Sequence, residues 1–149
     1  MTIRQVSKDF IAQAGDPTAT GVGGESAASF VAHAAGLPEA DCPPRYFMPE
    51  LRPGLKHKTK GTVSMAIAPA PDGKSLGGCG SQFFITLADN IEYLDGKHAV
   101  FGHVVEGFEA LDKLSGVYVD HEGRPLQDVR IRHVIILGES LSPFCSSTY

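Results

Sequence analysis

The sequence predicts a mainly β domain with few helices, and three observations support that prediction. The 17 glycines and 10 prolines among 149 residues favour many turns over long helices. Apolar residues alternate in several short segments bounded by turn residues, which is typical of strands. Helical spacing of apolar residues occurs only at residues 27–35 and 106–114.

Residues 80–86 (GSQFFIT) predict a strand with one chemically unusual face. Side chains alternate faces along a strand. Phe83 and Ile85 therefore share an ordinary core face, while Gln82 and Phe84 share the other. Because that second face combines an amide with a large aromatic ring, it predicts an apolar pocket with one fixed polar group.

The turn at residues 94–97 (LDGK) is expected to bring a histidine to the same pocket. Gly96 supplies the positive φ that a tight reversal needs. The reversal returns His98 and a strand at 100–105 toward residues 80–86.

The N-terminal part predicts two short strands, a loop and a helix. Residues 4–14 favour two strand pieces that break near Asp9 and Phe10. The glycine-rich loop at 15–26 resembles a phosphate cradle but lacks a Gly-Lys-Ser/Thr ending, so a structural loop whose backbone approaches a neighbour closely fits better. The helix at 27–35 would bury one apolar face. That face comprises Ala27, Phe30, Val31 and Ala34.

The C-terminal part predicts further strands around a second helix. Strands are expected at 61–66 and 129–137, with a long Gly- and Pro-rich loop at 69–80. The closing strand would place alternate residues on one face: Val129, Ile131, His133, Ile135 and Leu137. The helix at 106–114 would bury Phe108, Leu111 and Leu114.

Charge and cysteine content argue against several classes of function. The net charge of −4 has no block of like charges behind it, so it gives no case for direct binding of nucleic acid or anionic membrane. The basic cluster at 56–60 (KHKTK) is typical of a solvated loop. Three cysteines without C-x-x-C spacing favour reduced thiols, a cytoplasmic or nuclear setting and no zinc site. Without a membrane-length apolar run or a signal segment, we expect one soluble domain over 1–149.

Five motifs, in order, resemble those of the cyclophilins, which are peptidyl-prolyl cis-trans isomerases. They are FIAQAGDPT at 10–18, GGES at 23–26, GTVSMA at 61–66, GSQFFIT at 80–86 and LDGKHAVFG at 94–102. Three further runs are similar to the divergent, spliceosome-associated cyclophilin-like group: GDPT at 15–18, LKH at 55–57 and RPLQDV at 124–129. That likeness implies proline-containing peptides or proteins as partners, with spliceosomal proteins among them.

The resemblance spans about residues 4–137, apart from insertions at about 27–46 and 69–79. It implies a cyclophilin-like antiparallel β-barrel with few helices. Compared with the family pattern, the chain lacks the first two strands and the first helix. An unpaired strand edge invites pairing with another chain, so we expect self-association or low stability.

The resemblance also implies an isomerase site that requires neither metal nor cofactor. By their places in the motifs, five residues would line the pocket for the proline ring: Phe10, Ile11, Phe84, Leu94 and His98. Of these, Phe10, Phe84 and His98 would belong to the catalytic set together with Gln13.

Other matching positions would hold the peptide around that pocket. Gln13 and Gln82 would be its polar contacts, and Gly21 would lie on its rim. The segment whose backbone pairs with an extended peptide would comprise Ala66, Ile67 and Ala68. Tyr93 stands where cyclosporin-sensitive members carry Trp, so tight cyclosporin binding is not expected.

Gln5 occupies the position of the family's catalytic arginine when residues are counted back from Phe10 without gaps. Arg4, one residue earlier, would lie on the opposite face of its strand and would need a bulge to reach the pocket. Hydrogen bonds involving a charged group contribute about 1.5–3 kcal/mol, against about 0.5–1.5 for neutral ones. The sequence therefore predicts a weak isomerase or, alternatively, a proline-peptide binding module or scaffold subunit of a nuclear complex.

Overall fold

The computed structural model describes residues 1–68 and 77–138, which form one five-stranded antiparallel sheet. In chain order the strands are β1 (Gln5–Ser7), β2 (Ile11–Ala14), β3 (Thr62–Ile67), β4 (Cys79–Thr86) and β5 (Val100–His103). Their order across the sheet is β1-β2-β4-β3-β5, so β4 is the central strand. The predicted mainly β, antiparallel architecture is confirmed.

Two short helices accompany the sheet, as the sequence predicts. They are α1 (Ala27–Ala34) and α2 (Phe108–Ser115), with 3-10 turns at Glu39–Asp41 and Glu92–Leu94. None of the described helices has the length and hydropathy to cross a bilayer.

β1 and β2 form a hairpin whose break lies where the sequence predicts it. Ser7 pairs with Ile11, and the Phe10 N–H donates to the Ser7 carbonyl at 3.0 Å. Asp9 takes a positive φ of 54° inside this turn. The hairpin therefore fixes the position of Phe10 at the start of β2.

The alternation predicted for β4 is observed, and it separates two cores. Gln82 and Phe84 are buried on one face. Phe83 and Ile85, on the other face, pack against a cluster that includes Val6. Phe84 belongs to a second cluster, described below as part of the candidate site.

The glycine-rich loop at 15–26 packs its backbone against β4. At Gly15, where φ is +94°, an added Cβ would lie 2.2 Å from the Ser81 carbonyl oxygen. The Ser81 hydroxyl in turn donates to the Gly15 carbonyl at 2.7 Å. The loop thus makes the close backbone approach that the sequence analysis favours.

The predicted inward face of α1 is wrong. Phe30 and Val31 are 63% and 64% exposed, whereas Ser29 and Ala32 are buried. Ser26 caps the helix by accepting the Ser29 N–H at 3.1 Å. The Ser26 hydroxyl also donates to the Pro44 carbonyl at 3.0 Å, and its N–H donates to the Arg45 carbonyl at 2.7 Å. In this helix the small residues face inward and the larger apolar ones face solvent.

The predicted strand at 129–137 does not form. The Ile3 N–H donates to the Val129 carbonyl and the Ile131 N–H to the Met1 carbonyl, but the pairing stops there. His133 is exposed, and the four apolar residues at 134–137 are 72–92% exposed. Among the described residues no neighbouring strand supplies donors and acceptors to this segment, so its alternation is not converted into a strand.

The two predicted insertions differ in what the structure describes. The first, at 27–46, forms α1 and the 3-10 turn at Glu39–Asp41. It leads directly into Phe47, which forms a bridge with Cys79 of β4. Most of the second, together with most of the loop predicted at 69–80, lies outside the described residues.

Candidate functional site

The predicted pocket residues gather in one hydrophobic cluster beside β4. Ala66, Phe84 and Leu94 are buried in it, and Phe84 is only 2% exposed. Phe10 and Ile11 are partly exposed and pack against them. The cluster thus has a buried floor, formed by Phe84, and an accessible side, formed by Phe10 and Ile11.

His98 lies edge-on against this floor. The ring centroids of His98 and Phe84 are 5.1 Å apart, with an angle of 84° between the rings. His98 Nδ1–H donates to the Met65 carbonyl at 3.0 Å, because a carbonyl can only accept. Burial lowers the pKa of His98, and the charge of Lys97 lowers it further, so its imidazole is neutral near pH 7.

Tyr93 extends the aromatic wall of the cluster toward solvent. Its ring stacks on Phe10 with centroids 5.6 Å apart and an angle of 20°. The Lys97 ammonium lies 5.0 Å from the centroid of the Tyr93 ring, within cation–π range. Tyr93 is exposed, so a ligand in the pocket can reach it.

Two glutamine amides form a chain at the edge of the cluster. Gln13 Nε2 donates to Gln82 Oε1 at 2.8 Å. Gln82 Nε2 donates to the carbonyls of Gly21 at 3.1 Å and Gly23 at 2.8 Å. Because both N–H groups of Gln82 have these acceptors, Gln82 positions Gln13, and Gln13 retains the amide groups that can address a peptide.

Arg4 reaches the rim of the site, which the sequence analysis made conditional on a bulge. The Arg4 N–H donates to the Gln13 carbonyl at 2.9 Å, although the strand register places Gln5 opposite Gln13. Two consecutive residues thus face one, which is the arrangement of a β-bulge, and bulges redirect side chains. A Cβ added at Gly21 would lie 2.7 Å from Arg4 Cζ, so the guanidinium covers Gly21.

Gln5 lies toward a different neighbour. A Cβ added at Gly123 would be 3.2 Å from Gln5 Cγ and 3.7 Å from its Nε2. No hydrogen bond described in residues 1–68 and 77–138 joins the Gln5 side chain to the cluster. The neutral Gln5 side chain thus lies beside Gly123, whereas the charged Arg4 side chain lies at the rim of the site beside Gly21.

The segment predicted to pair with an extended peptide has an edge that can do so. The Ala68 N–H donates to the Gly78 carbonyl at 2.9 Å, on the side that faces β4. On the other side, the register of β3 with β5 ends at Ser64. Within the described part of the chain, residues 66–68, including Ala66 and Ile67, therefore have no ladder partner on that side.

A cavity beside α1 is a separate feature. A cavity of about 1200 Å³ is lined by Gly15, Gly24, Phe30, Phe47 and ten other residues, and Phe10, Phe84 and His98 are absent from its lining. Among the residues that the structure describes, no cluster of three or more His, Cys, Asp or Glu is placed to hold a metal ion. The residues predicted for the site lie instead in the aromatic cluster and the amide chain beside it.

Comparison with known sequences places this geometry in a family. Residues 1–136 match the family described as cyclophilin type peptidyl-prolyl cis-trans isomerase/CLD. The chain is 64% identical over 132 residues to peptidyl-prolyl cis-trans isomerase-like 4 of Cryptococcus neoformans, covering 89% of this chain and 25% of that protein. It is 42% identical over 134 residues to peptidyl-prolyl cis-trans isomerase CYP59 of Arabidopsis thaliana, covering 90% and 24%. The chain thus spans about a quarter of the length of these curated relatives.

A solved structure agrees with this assignment. The cyclophilin type peptidyl-prolyl cis-trans isomerase of Cryptosporidium parvum, crystallised in the presence of the dipeptide Ala-Pro, superposes with a TM-score of 0.73 at 35% sequence identity. The match covers 93% of this chain and 75% of the other. The isomerase-like 4 relatives confirm the resemblance to the divergent cyclophilin-like group. The chain belongs to the cyclophilin-type peptidyl-prolyl cis-trans isomerase family.

Proposed function

We propose that this chain is a slow peptidyl-prolyl cis-trans isomerase that acts on exposed X-Pro bonds of proteins. The observation that carries the proposal is the gathering of Phe10, Phe84 and Leu94 into one cluster, with His98 edge-on to Phe84. The family supports an isomerase-type function, and the slow rate follows from the donors that the site offers.

The reaction needs a shaped pocket rather than covalent chemistry. Rotation about a peptide bond has a barrier of about 18–20 kcal/mol because the C–N bond has partial double-bond character. For X-Pro bonds the trans preference is already small. In the twisted state the proline nitrogen becomes pyramidal and can accept a hydrogen bond. A site that binds this twisted amide more tightly than the planar one lowers the barrier.

The residues of the site divide this task. Phe84 supplies the apolar floor for the proline ring and Phe10 the accessible wall. Gln13, held by Gln82, addresses the peptide backbone. The outer edge at residues 66–68 pairs with the extended peptide, which fixes the direction in which it enters.

The donor to the proline nitrogen is the weak part of this site. Gln5 can donate only from a neutral amide, whereas Arg4 carries a charge but covers Gly21 at the rim. A neutral hydrogen-bond donor in place of a charged one lowers the rate of isomerisation by roughly tenfold. Removal of a preorganised donor lowers it by about 10²–10³. We therefore place the activity below that of a site with arginine at position 5.

Substitution Gln5→Arg tests this assignment. We expect the exchange rate of an X-Pro peptide, measured by NMR exchange spectroscopy at saturating protein, to rise roughly tenfold. Gln127→Arg, which adds the same charge on an exposed loop, is the matched control and should leave the rate unchanged. Arg4→Gln should lower the rate if Arg4 shares the donor role. An unchanged rate in Gln5→Arg would show that the deficit does not lie at the donor.

A second function is a binding module for proline-containing peptides without useful turnover. The neutral amide of Gln5 favours it, because the pocket and the Gln13 amide bind a peptide without needing a charged donor. The two functions separate in one experiment. Saturable binding of a proline peptide without cis-trans exchange supports the module, whereas exchange above the uncatalysed rate supports the enzyme.

Partners and location are further parts of the proposal. The likeness to the divergent cyclophilin-like group supports a role in a nuclear, spliceosomal assembly, with a cytoplasmic location as the alternative. Affinity capture from a nuclear extract without spliceosomal proteins would count against the nuclear role. Tyr93 in place of Trp predicts weak cyclosporin binding, which a titration measures directly.

A further inference from the structure

His57 is a buried imidazole that the proposed reaction does not use. Its side chain is 0% exposed, although it stands between two lysines in the basic cluster at 56–60. Nδ1 lies 2.8 Å from Asp95 Oδ1, and Nε2 lies 2.8 Å from Ser64 Oγ. The His57 backbone N–H donates to the same Asp95 oxygen at 2.8 Å. A buried polar side chain with every nitrogen paired is expected to have a definite task.

The order Ser64–His57–Asp95 matches the relay of a serine hydrolase, but burial argues against that use. Ser64 is 0% exposed, so its hydroxyl cannot approach the carbonyl of a substrate. A nucleophile must be accessible at the position of the reacting atom. The same three groups can instead act as a clamp, because each belongs to a different part of the site.

The three contacts of His57 reach three elements around the pocket: β4, β3 and the turn before His98. The His57 ring stacks on Phe84 with centroids 6.0 Å apart and an angle of 20°. Ser64 lies on β3 directly opposite Phe84 in the register. Asp95 lies in the turn between Leu94 and His98, whose N–H donates to the Leu94 carbonyl at 3.2 Å.

We propose that His57 is a positioning residue for the isomerisation. It packs on the Phe84 ring, and its bonds to Asp95 and Ser64 hold the turn of Asp95 at a set distance from β3. The inference rests on the proposed function, because the geometry it fixes is that of the proline pocket. His57 touches neither the peptide nor the proline, and acts through Phe84 and His98.

The donors in this clamp follow from the chemistry of Asp95. An ionised carboxylate only accepts, so Nδ1 of His57 carries a proton and donates to it. The two hydrogen bonds from His57 lower the pKa of Asp95, and the charge of Lys56 lowers it further, so this acceptor is ionised near neutral pH. The Ser64 hydroxyl can then donate to Nε2, which leaves both imidazole nitrogens satisfied.

Variants at Asp95 separate positioning from simple stability. Asp95→Ala removes the acceptor of both His57 bonds. Asp95→Asn keeps an amide oxygen that can accept both, so it is the rescue variant. Asp89→Ala is the matched control. Asp89 Oδ1 accepts the Lys60 N–H at 2.7 Å, so it also joins the loop before β3 to the loop between β4 and β5, but without contacting an imidazole.

The expected result is a split between turnover and binding. Since a misplaced pocket wall acts mainly on the transition state, we expect Asp95→Ala to lower kcat by about tenfold while the peptide Kd changes by less than about threefold. Asp95→Asn should recover most of that loss, and Asp89→Ala should keep the wild-type kcat. Equal kcat values in Asp95→Ala and Asp89→Ala, or a failure of Asp95→Asn to recover activity, would overturn the proposal.

A second readout keeps the test independent of turnover. The ¹³C relaxation of the Phe84 ring should report greater ring mobility in Asp95→Ala than in the wild type. Asp89→Ala should show the same ring mobility as the wild type. If the wild-type chain shows no exchange, the proposed function fails, and an unchanged Phe84 ring would then overturn the clamp separately. If Asp95→Ala does not fold, Ser64→Ala removes only the Nε2 bond, and the same two readouts decide.

Discussion

β4 and the segment at 129–137 have similar alternating sequences, yet only β4 becomes a strand. β4 pairs with β2 on one side and β3 on the other, and Phe84 at its centre is 2% exposed. Among the described residues, the other segment makes main-chain hydrogen bonds only at Val129 and Ile131, and the apolar side chains at 134–137 are exposed to solvent.

The difference shows what an alternating pattern does and does not determine. Alternation tells which side chains share a face, because the strand repeat is two residues. It does not supply the neighbouring donors and acceptors that a strand needs. β4 has those neighbours on both edges, whereas in the part of the chain that the structure describes the segment at 129–137 has them beside Met1 and Ile3.

The largest effect should come from truncating a large apolar side chain in each region. Phe84→Ala empties the pocket floor, and a buried Phe→Ala change costs about 3–5 kcal/mol. Ile135→Ala removes side-chain atoms that are already in solvent, so its cost should stay within about 0.5 kcal/mol. Chemical denaturation measures both free energies of unfolding, and a loss in Ile135→Ala comparable to that in Phe84→Ala would show that residues 129–137 are packed in solution.

Local sequence signals predicted most of what positions the site. The alternation of Gln82 and Phe84 gave the buried face of β4, and Gly96 gave the turn that returns His98 to Phe84. These features depend on neighbours in sequence and on a two-residue repeat. They could therefore be inferred without coordinates.

The features that sequence analysis missed depend on contacts between distant residues. The bulge at Arg4 follows from its bond to Gln13, and the start of α1 is held by bonds from Ser26 to Pro44 and Arg45. His57 was assigned to a solvated loop because two lysines flank it. In an extended segment the residue between two outward-facing side chains faces inward, so that spacing was the available signal.

A smaller effect should come from the glycine that lets the loop approach β4. Gly15→Ala strains a positive φ and brings a Cβ within 2.2 Å of the Ser81 carbonyl oxygen. Gly36→Ala strains a similar φ of +74° but meets nothing within 4 Å, so it is the matched control. Strain at positive φ costs about 1–3 kcal/mol. The free energy of unfolding should therefore fall in both variants and fall further in Gly15→Ala. Equal losses would contradict the close approach to β4.

The smallest expected effect is a pH dependence, and it again distinguishes the two regions by comparing His98 with His133. Burial lowers the pKa of His98 in the folded chain from its ordinary value of 6.5, so below about pH 6.5 the unfolded chain binds the proton more readily. Stability should therefore fall as the pH drops from about 6.5 through the lower pKa of the folded state, and this contribution should be constant at higher pH.

His98→Asn keeps a donor for the Met65 carbonyl but does not titrate, so its free energy of unfolding should depend less on pH below 6.5 than that of the wild type. His133→Asn, which replaces an exposed imidazole outside the cluster, is the matched control. Identical profiles for His98→Asn and the wild type would mean that the His98 ring is as accessible to solvent as a residue at 129–137, which would contradict the edge-on contact with Phe84.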